Sequence, residues 1–340
     1  MKTAAYPPLV KAMLDPSFYP HLPQQVDLIQ THISYIFLCG DLVYKVKKPV
    51  NFGFLDFTTL ERRGFFCRQE VILNKRFSPD VYLDVVPISL VNDSFRLGDE
   101  TAVIEYAVKM RRIREEYMLY RLLKEGKVGP EIMQRVGRHL AAVYAAIPSD
   151  EQARGFGDLS VIAINIKENF AQTSRYIGGP VTKETFADIE RWSLAFMETK
   201  SSLFAERVAQ GFIKDCHGDL HLQHICVDGE HIYIFDCIEF NERFRFGDVA
   251  SDVAFLAMDL DFNGHPQLGK IFVDAYTEAS GDRTLSGVLL FYKVYRAYVR
   301  AKVTSFLLDD AALDEKTRAE GLAQARRYYD LAYRYVRGDI

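Results

Sequence analysis

The chain has 340 residues, of which 49% are hydrophobic, with a formal net charge of -4 and five cysteines. Single cores stop growing efficiently near about 250–300 residues, so two packed units with a cleft between them are expected. The charge balance excludes the polycationic field of a nucleic-acid binder. Cys39, Cys67, Cys216, Cys226 and Cys237 are odd in number and contain no C-x-x-C pair, which argues against a disulfide framework or thiolate zinc site and for buried thiols in a reducing cytosol. No stretch approaches the roughly 20 apolar residues of a membrane span, so a cytoplasmic protein without a membrane partner is expected.

In chain order, Leu28–Gln30, the β-formers Tyr35–Leu38, the turn residues Gly40-Asp41 and the alternating run Leu42–Lys47 predict an antiparallel start of three strands. Thr58–Arg76 switches to helical spacing, with Phe65, Phe66, Ile72 and Leu73 available for one face. Val81–Leu90 and Ala102–Met110 read as further strands separated by a polar hairpin at Asn92-Asp93-Ser94. The balance then reverses, with helical runs at Glu115–Lys124, Pro130–Ala146, Val161–Tyr176 and Lys183–Gln210. A β-rich island at Phe212–Phe240 interrupts them, and helices resume from about Val249 to Tyr335. The expected division is residues 1–110 and 111–340, meeting near Lys109–Ile113 without a Gly/Pro/Ser-rich linker.

The densest polar cluster is Cys216-His217-Gly218-Asp219-Leu220-His221-Leu222-Gln223-His224, in the β-rich island. Imidazole and carboxylate at such spacing can converge on zinc or iron, which leaves open a metal-dependent hydrolase centred on His217, Asp219, His221 and His224. The next residues favour another chemistry. Ile225–Val227, a turn at Asp228-Gly229 and His231–Phe235 form a hairpin that ends in Asp236. A loop carboxylate, a hairpin and a second carboxylate can set one acid at an acceptor hydroxyl and the other on magnesium, as phosphoryl transfer requires.

H-G-D-L-H followed by I-F-D resembles the catalytic loop and metal-binding aspartate of aminoglycoside phosphotransferases and their protein-kinase-like relatives. Val43-Tyr44-Lys45-Val46 resembles their phosphate-contacting lysine strand, with Glu70 on the next helix placed to pair with it, and Gly247-Asp248-Val249-Ala250-Ser251-Asp252-Val253-Ala254 resembles their D-P-x-x-D-L-A segment. The strings THISYIFLCGDLVYKVKKPVNFGFLDF and IFDCIEFNERFRFGDVASDVAF look like a bacterial, uncharacterised branch, some members of which carry a second, P-loop domain. Such a domain on a separate chain is one expected partner, beside a small-molecule substrate.

The resemblance implies an α+β, two-lobed protein-kinase-like fold, with a small antiparallel-sheet lobe holding one helix and a larger, mostly helical lobe. It also implies ATP (or GTP) and Mg2+ as cofactors of a small-molecule kinase acting on a hydroxyl. Asp219 would orient or deprotonate the acceptor, with His217 beside it in the loop. Asp236 would hold magnesium, and Lys45, fixed by Glu70, would contact phosphates, with Lys47 as its rival. Asp252 would brace the catalytic loop.

Adenine would lie against the backbone near Lys109 and Met110, and the turn at Thr31 and Ser34 would cap phosphates in place of a glycine-rich loop. His224 stands where the kinase loop has an asparagine metal ligand, which also permits a non-catalytic nucleotide-binding module, a pseudokinase. Tyr292, Arg296 and Arg300 share a helical face suited to an anion, whereas Glu239, Asp259 and Asp261 suit a cationic or polyhydroxyl acceptor, so both substrate charges stay open.

Overall fold

The computed structural model describes residues 6–310 and 313–340. Its first stretch runs α1 (Pro8–Met13), β1 (Val26–Gln30), β2 (Ser34–Cys39), β3 (Leu42–Lys47), α2 (Leu60–Asn74), β4 (Tyr82–Val91), β5 (Ser94–Leu97) and β6 (Val103–Arg111). Helices α3 (Leu119–Lys124), α4 (Pro130–Ala146), α5 (Glu151–Gly155), α6 (Leu159–Thr173), α7 (Lys183–Thr199) and α8 (Ser201–Ala209) follow. After β7 (Ile213–Asp215), β8 (Ile225–Asp228), β9 (His231–Ile234), α9 (Glu242–Arg245) and β10 (Phe246–Asp248), the chain closes with α10 (Val249–Phe262), α11 (Pro266–Ser280), α12 (Leu285–Leu307) and α13 (Glu315–Arg337).

The chain divides into two compact units. One takes the chain through Arg121 together with Ile225–Glu242; the other holds Leu122–His224 and Arg243–Ile340. These units do not follow a single cut after Met110. The first keeps the chain beyond β6 and recruits the β8–β9 hairpin from far along the sequence, and an isolated antiparallel bridge pairs Met118 with Cys226.

The first unit is built on an antiparallel six-stranded sheet ordered β1-β2-β3-β6-β4-β5. Two tight turns set its register. Gly40 (φ +65) closes β2–β3 with Cys39 opposite Leu42, and Asn92 and Asp93, both left-handed, close β4–β5 with Val91 opposite Ser94. β5 is a strand that the sequence reading left inside the hairpin. Strand alternation then sorts β3. Tyr44 and Val46 enter a core with Val10, Met13, Phe37 and Ile88, while Lys45 and Lys47 point to the other face. That other face is covered by α2, whose Cys67 and Val71 pack with Val81, Tyr82 and Val108. Thr59 caps α2 by accepting from the Arg62 amide at 3.2 Å.

The second unit is helical, with a two-stranded β7–β10 ladder. α10 is buried from Val249 to Leu260, which is why its sequence is apolar nearly all round. Asp248 caps it by accepting from the Ala250 amide and also takes Arg207 in a fork at 2.6 and 2.7 Å. α4 packs on α11 closely enough that a Cβ at Gly137 would meet the Phe272 carbonyl at 2.7 Å. The run Lys183–Gln210 proves to be two helices, α7 and α8, that break at Lys200. All five cysteines are buried thiols outside any disulfide. Cys39, Cys67, Cys226 and Cys237 belong to the first unit and Cys216 to the second.

Candidate active site

In the first unit the two lysines of β3 share one acid. The Glu70 carboxylate on α2 takes Lys45 on Oε1 at 2.8 Å and Lys47 on Oε2 at 2.6 Å. Each lysine has a second, different partner: Lys45 reaches Asp236 Oδ1 at 2.7 Å, and Lys47 reaches Glu239. Burial separates the rivals. Lys47 is 1% exposed and enclosed between two acids, whereas Lys45 meets Asp236, whose side chain is 43% exposed. Lys45 thus borders a half-exposed carboxylate, whereas Lys47 lies between two buried ones.

Burial opposes both ammonium charges, yet the surrounding carboxylates, Asp236 and Glu70 for Lys45 and Glu239 and Glu70 for Lys47, keep both well above the ordinary lysine range. Burial likewise opposes ionisation of Glu70, but the two lysines pull its carboxyl below the usual range. For Glu239 burial wins, and its carboxyl is raised. Sequence reasoning placed Glu239 among acceptor-binding acids; the structure buries it against Lys47.

Asp236 has a left-handed backbone, φ +63, which aspartate tolerates better than most residues. Three polar side chains enforce that shape. Ser78 both donates to the Ile234 carbonyl at 2.7 Å and accepts from the Ile234 amide, Tyr82 accepts from the Asp236 amide at 3.0 Å, and Asn74 accepts from the Cys237 amide at 2.9 Å. A half-exposed carboxylate with oxygen donors alone suits a hard cation such as magnesium.

The other expected groups of this unit are less open. The Thr31 hydroxyl accepts from the Ile33 and Ser34 amides and so closes its own turn, and Ser34 is wholly buried. Lys109 and Met110 lie on β6 between β3 and β4, with Tyr44 and Val43 opposite them on one side and Asp84 and Tyr82 on the other. Their backbone pairs with both neighbouring strands, with a register shift between Tyr82 and Asp84, and the Met110 side chain packs on the cluster that holds Tyr82.

In the second unit a braced loop presents Asp219. Asp252 Oδ2 accepts from the His217 and Gly218 amides at 2.8 and 3.1 Å and from the Tyr144 hydroxyl at 2.5 Å. Arg296 binds the Asp252 carboxylate at 3.2 Å and donates to the Gly218 carbonyl at 2.8 Å. The expected bracing role of Asp252 is the geometry seen. Arg296 serves the same brace from α12 rather than a substrate wall. His217 is fully buried, its Nδ1 accepting from the Asp219 amide at 3.3 Å, so it shapes the loop.

The Asp219 side chain is 37% exposed, with His221 Nε2 at 3.5 Å and His224 Nδ1 at 3.6 Å from Oδ2. Burial opposes its charge, but His221, His224 and Arg300 outweigh that and hold the carboxyl far below the usual range. These three side chains could hold a metal ion, and their mixed nitrogen and oxygen donors suit a borderline first-row metal better than magnesium. Both Nδ1 atoms already have partners. His224 Nδ1 lies 2.8 Å from the Asp219 carbonyl, and His221 Nδ1 accepts from the Gln223 amide at 3.3 Å.

Solved structures share this architecture. A choline/ethanolamine kinase family protein from Mesorhizobium loti superposes with a TM-score of 0.55 at 13% identity, covering 97% of this chain and 99% of that one. The amicoumacin kinase hAmiN superposes at 0.56 and 12% identity, covering 95% and 92%. The fold is protein-kinase-like, a two-lobed α+β arrangement with a small antiparallel-sheet lobe and a larger helical lobe. Residues 130–287, which contain the Asp219 loop, match the phosphotransferase enzyme family. An uncharacterised protein of Mycobacterium tuberculosis (strain H37Rv) is 33% identical over 279 residues, 82% of this chain and 54% of that protein. The chain thus spans about half the length of the curated relatives it matches. No helix among the described residues is long and apolar enough to cross a membrane.

Proposed function

We propose that the chain is a small-molecule kinase that passes the terminal phosphoryl group of ATP or GTP, with Mg2+, to a hydroxyl. The observation that carries this reading is the pairing of a buried Glu70 with Lys45 while Lys45 also meets a half-exposed, backbone-fixed Asp236. In this role Lys45 contacts phosphates, Asp236 holds the metal, and Asp219 orients the acceptor hydroxyl from a loop whose amides are clamped by Asp252. Such chemistry asks the protein for positioning and charge neutralisation. The similar hAmiN, described in complex with AMP-PNP and Ca2+, supports a nucleotide and a divalent cation.

His224, at the position of a kinase metal ligand, supports a second reading, a module that binds nucleotide without turnover. One experiment addresses both: thermal unfolding of wild type and Asp236→Ala with ATP, GTP or neither, with and without magnesium, followed by nucleoside diphosphate release with candidate alcohols. Nucleotide at a hundredfold its Kd stabilises by about 2.7 kcal/mol, a midpoint shift of several degrees. The expected result is a magnesium-dependent shift that Asp236→Ala abolishes. A shift with no release for any acceptor selects the silent module, and no shift at all ends the nucleotide reading.

A further inference from the structure

The sequence offers acids for a cationic acceptor and arginines for an anionic one. The structure commits the acids elsewhere. Asp259 accepts from the Leu222 amide at 3.0 Å and from the Asn263 side chain at 3.2 Å. Asp261 is taken by Lys293 at 2.8 Å and by the Tyr335 hydroxyl, and Glu239 by Lys47. Each of these carboxylates thus already has partners of its own, and those of Asp261 and Glu239 are cations.

The arginines divide differently. Arg296 is spent on the Asp219 loop, donating to the Gly218 carbonyl. Arg300 follows one turn later on α12, about 6 Å along the same helix face. Among the described residues no carboxylate sits at ion-pair distance from its guanidinium, which lies over the Tyr328 ring, 5.6 Å from the centroid. Tyr328 is itself stacked on Phe262 at 3.7 Å, and Arg327 lies over the Phe262 ring at 4.2 Å. Arg300 is half-buried and close enough to Asp219 and Asp259 for their charges to act on it. A guanidinium drawn partly out of water beside an aromatic ring, with no carboxylate at ion-pair distance, is a fork for an anion.

We propose that the acceptor carries an anionic group, a carboxylate or a phosphate, which Arg300 binds while the acceptor hydroxyl meets Asp219. The proposal rests on the phosphotransfer reading and assigns its substrate class. Arg300 then acts as a specificity residue, and neutral or cationic alcohols are poor acceptors because their contact leaves that guanidinium unanswered.

The test has two arms. Titration calorimetry of the full chain with inorganic phosphate, in the presence of magnesium and a non-hydrolysable ATP analogue, compares wild type with Arg300→Gln and Arg300→Lys. Phosphate is expected to bind wild type, to bind Arg300→Gln at least about tenfold more weakly, a difference of about 1.4 kcal/mol, and to recover in part in Arg300→Lys. Repeating the titration on Lys45→Met without nucleotide keeps the answer independent of the nucleotide reading. Absent phosphate binding, or binding untouched by Arg300→Gln, overturns the proposal.

The second arm compares glucuronate, glucose and 6-amino-6-deoxyglucose, which differ at one carbon, by diphosphate release. A kcat/KM at least about tenfold higher for the carboxylate, lost in Arg300→Gln, is expected. Preference for the ammonium sugar, or an Arg300→Gln loss equal for all three, overturns it. Should none of the three react, the phosphate titration alone decides.

Discussion

Glu70 answers two lysines with its two oxygens, and that sharing assigns different tasks to residues two apart on one strand. Removing Lys47 leaves Glu239 buried without its cation, a situation that costs about 3–5 kcal/mol. Lys45→Met leaves Glu70 still paired with Lys47 and Asp236 still half-exposed. Chemical denaturation should therefore show Lys47→Met strongly destabilised and Lys45→Met only mildly so. Nucleotide titration should show the reverse ranking, with Lys45→Met losing affinity. Combining Lys47→Met with Glu239→Leu should recover part of the lost stability, because the stranded acid is then gone.

At the scale of elements, α4 and α11 approach through Gly137, where an added Cβ would meet the Phe272 carbonyl at 2.7 Å and the Tyr276 amide nitrogen at 3.0 Å. Both obstacles are backbone and cannot swing aside. Gly137→Ala gains about 1 kcal/mol in helix propensity but incurs overpacking of about 1–3 kcal/mol, so the thermal midpoint should fall. Gly155→Ala, with open space around it, should leave the midpoint unchanged or raised.

Much at this scale was legible in the sequence. Strand alternation through Leu42–Lys47 and the Gly40-Asp41 turn carried the start of the sheet, and the H-G-D-L-H string located the braced loop. What was missed has physical causes. α1 has six residues set between prolines, and β10 has three, too few to show a period. The break at Lys200 has no Gly or Pro to mark it. The partnership of Lys47 with Glu239 spans 192 residues and exists only once β3, α2 and the segment after β9 are assembled. The bond of Asp252 to the Asp219 loop was readable because a family resemblance, rather than local pattern, supplied it.

For the whole molecule, the interleaving of the two units governs what can be cut. A fragment ending at Arg121 would carry Lys45, Lys47 and Glu70 without Asp236 or Glu239, and α2 without the hairpin that Ser78 and Asn74 anchor. It should show no cooperative unfolding by circular dichroism. The same fragment joined to Ile225–Glu242 through a short flexible linker should fold, since Met118 and Cys226 are bridge partners and the join is short.

The distribution of thiols gives this interleaving a readout of its own. Cys39, Cys67, Cys226 and Cys237 lie sealed in one unit and Cys216 in the other, and burial further raises the pKa of Cys39, Cys67 and Cys226 toward unreactivity. A thiol reagent can reach a given cysteine only when the surrounding structure opens, so modification rates become clocks for separate regions. Without a single engineered probe, mass spectrometry of time-stamped alkylation would tell which unit breathes first, and whether a bound nucleotide or acceptor slows one clock while leaving the other running.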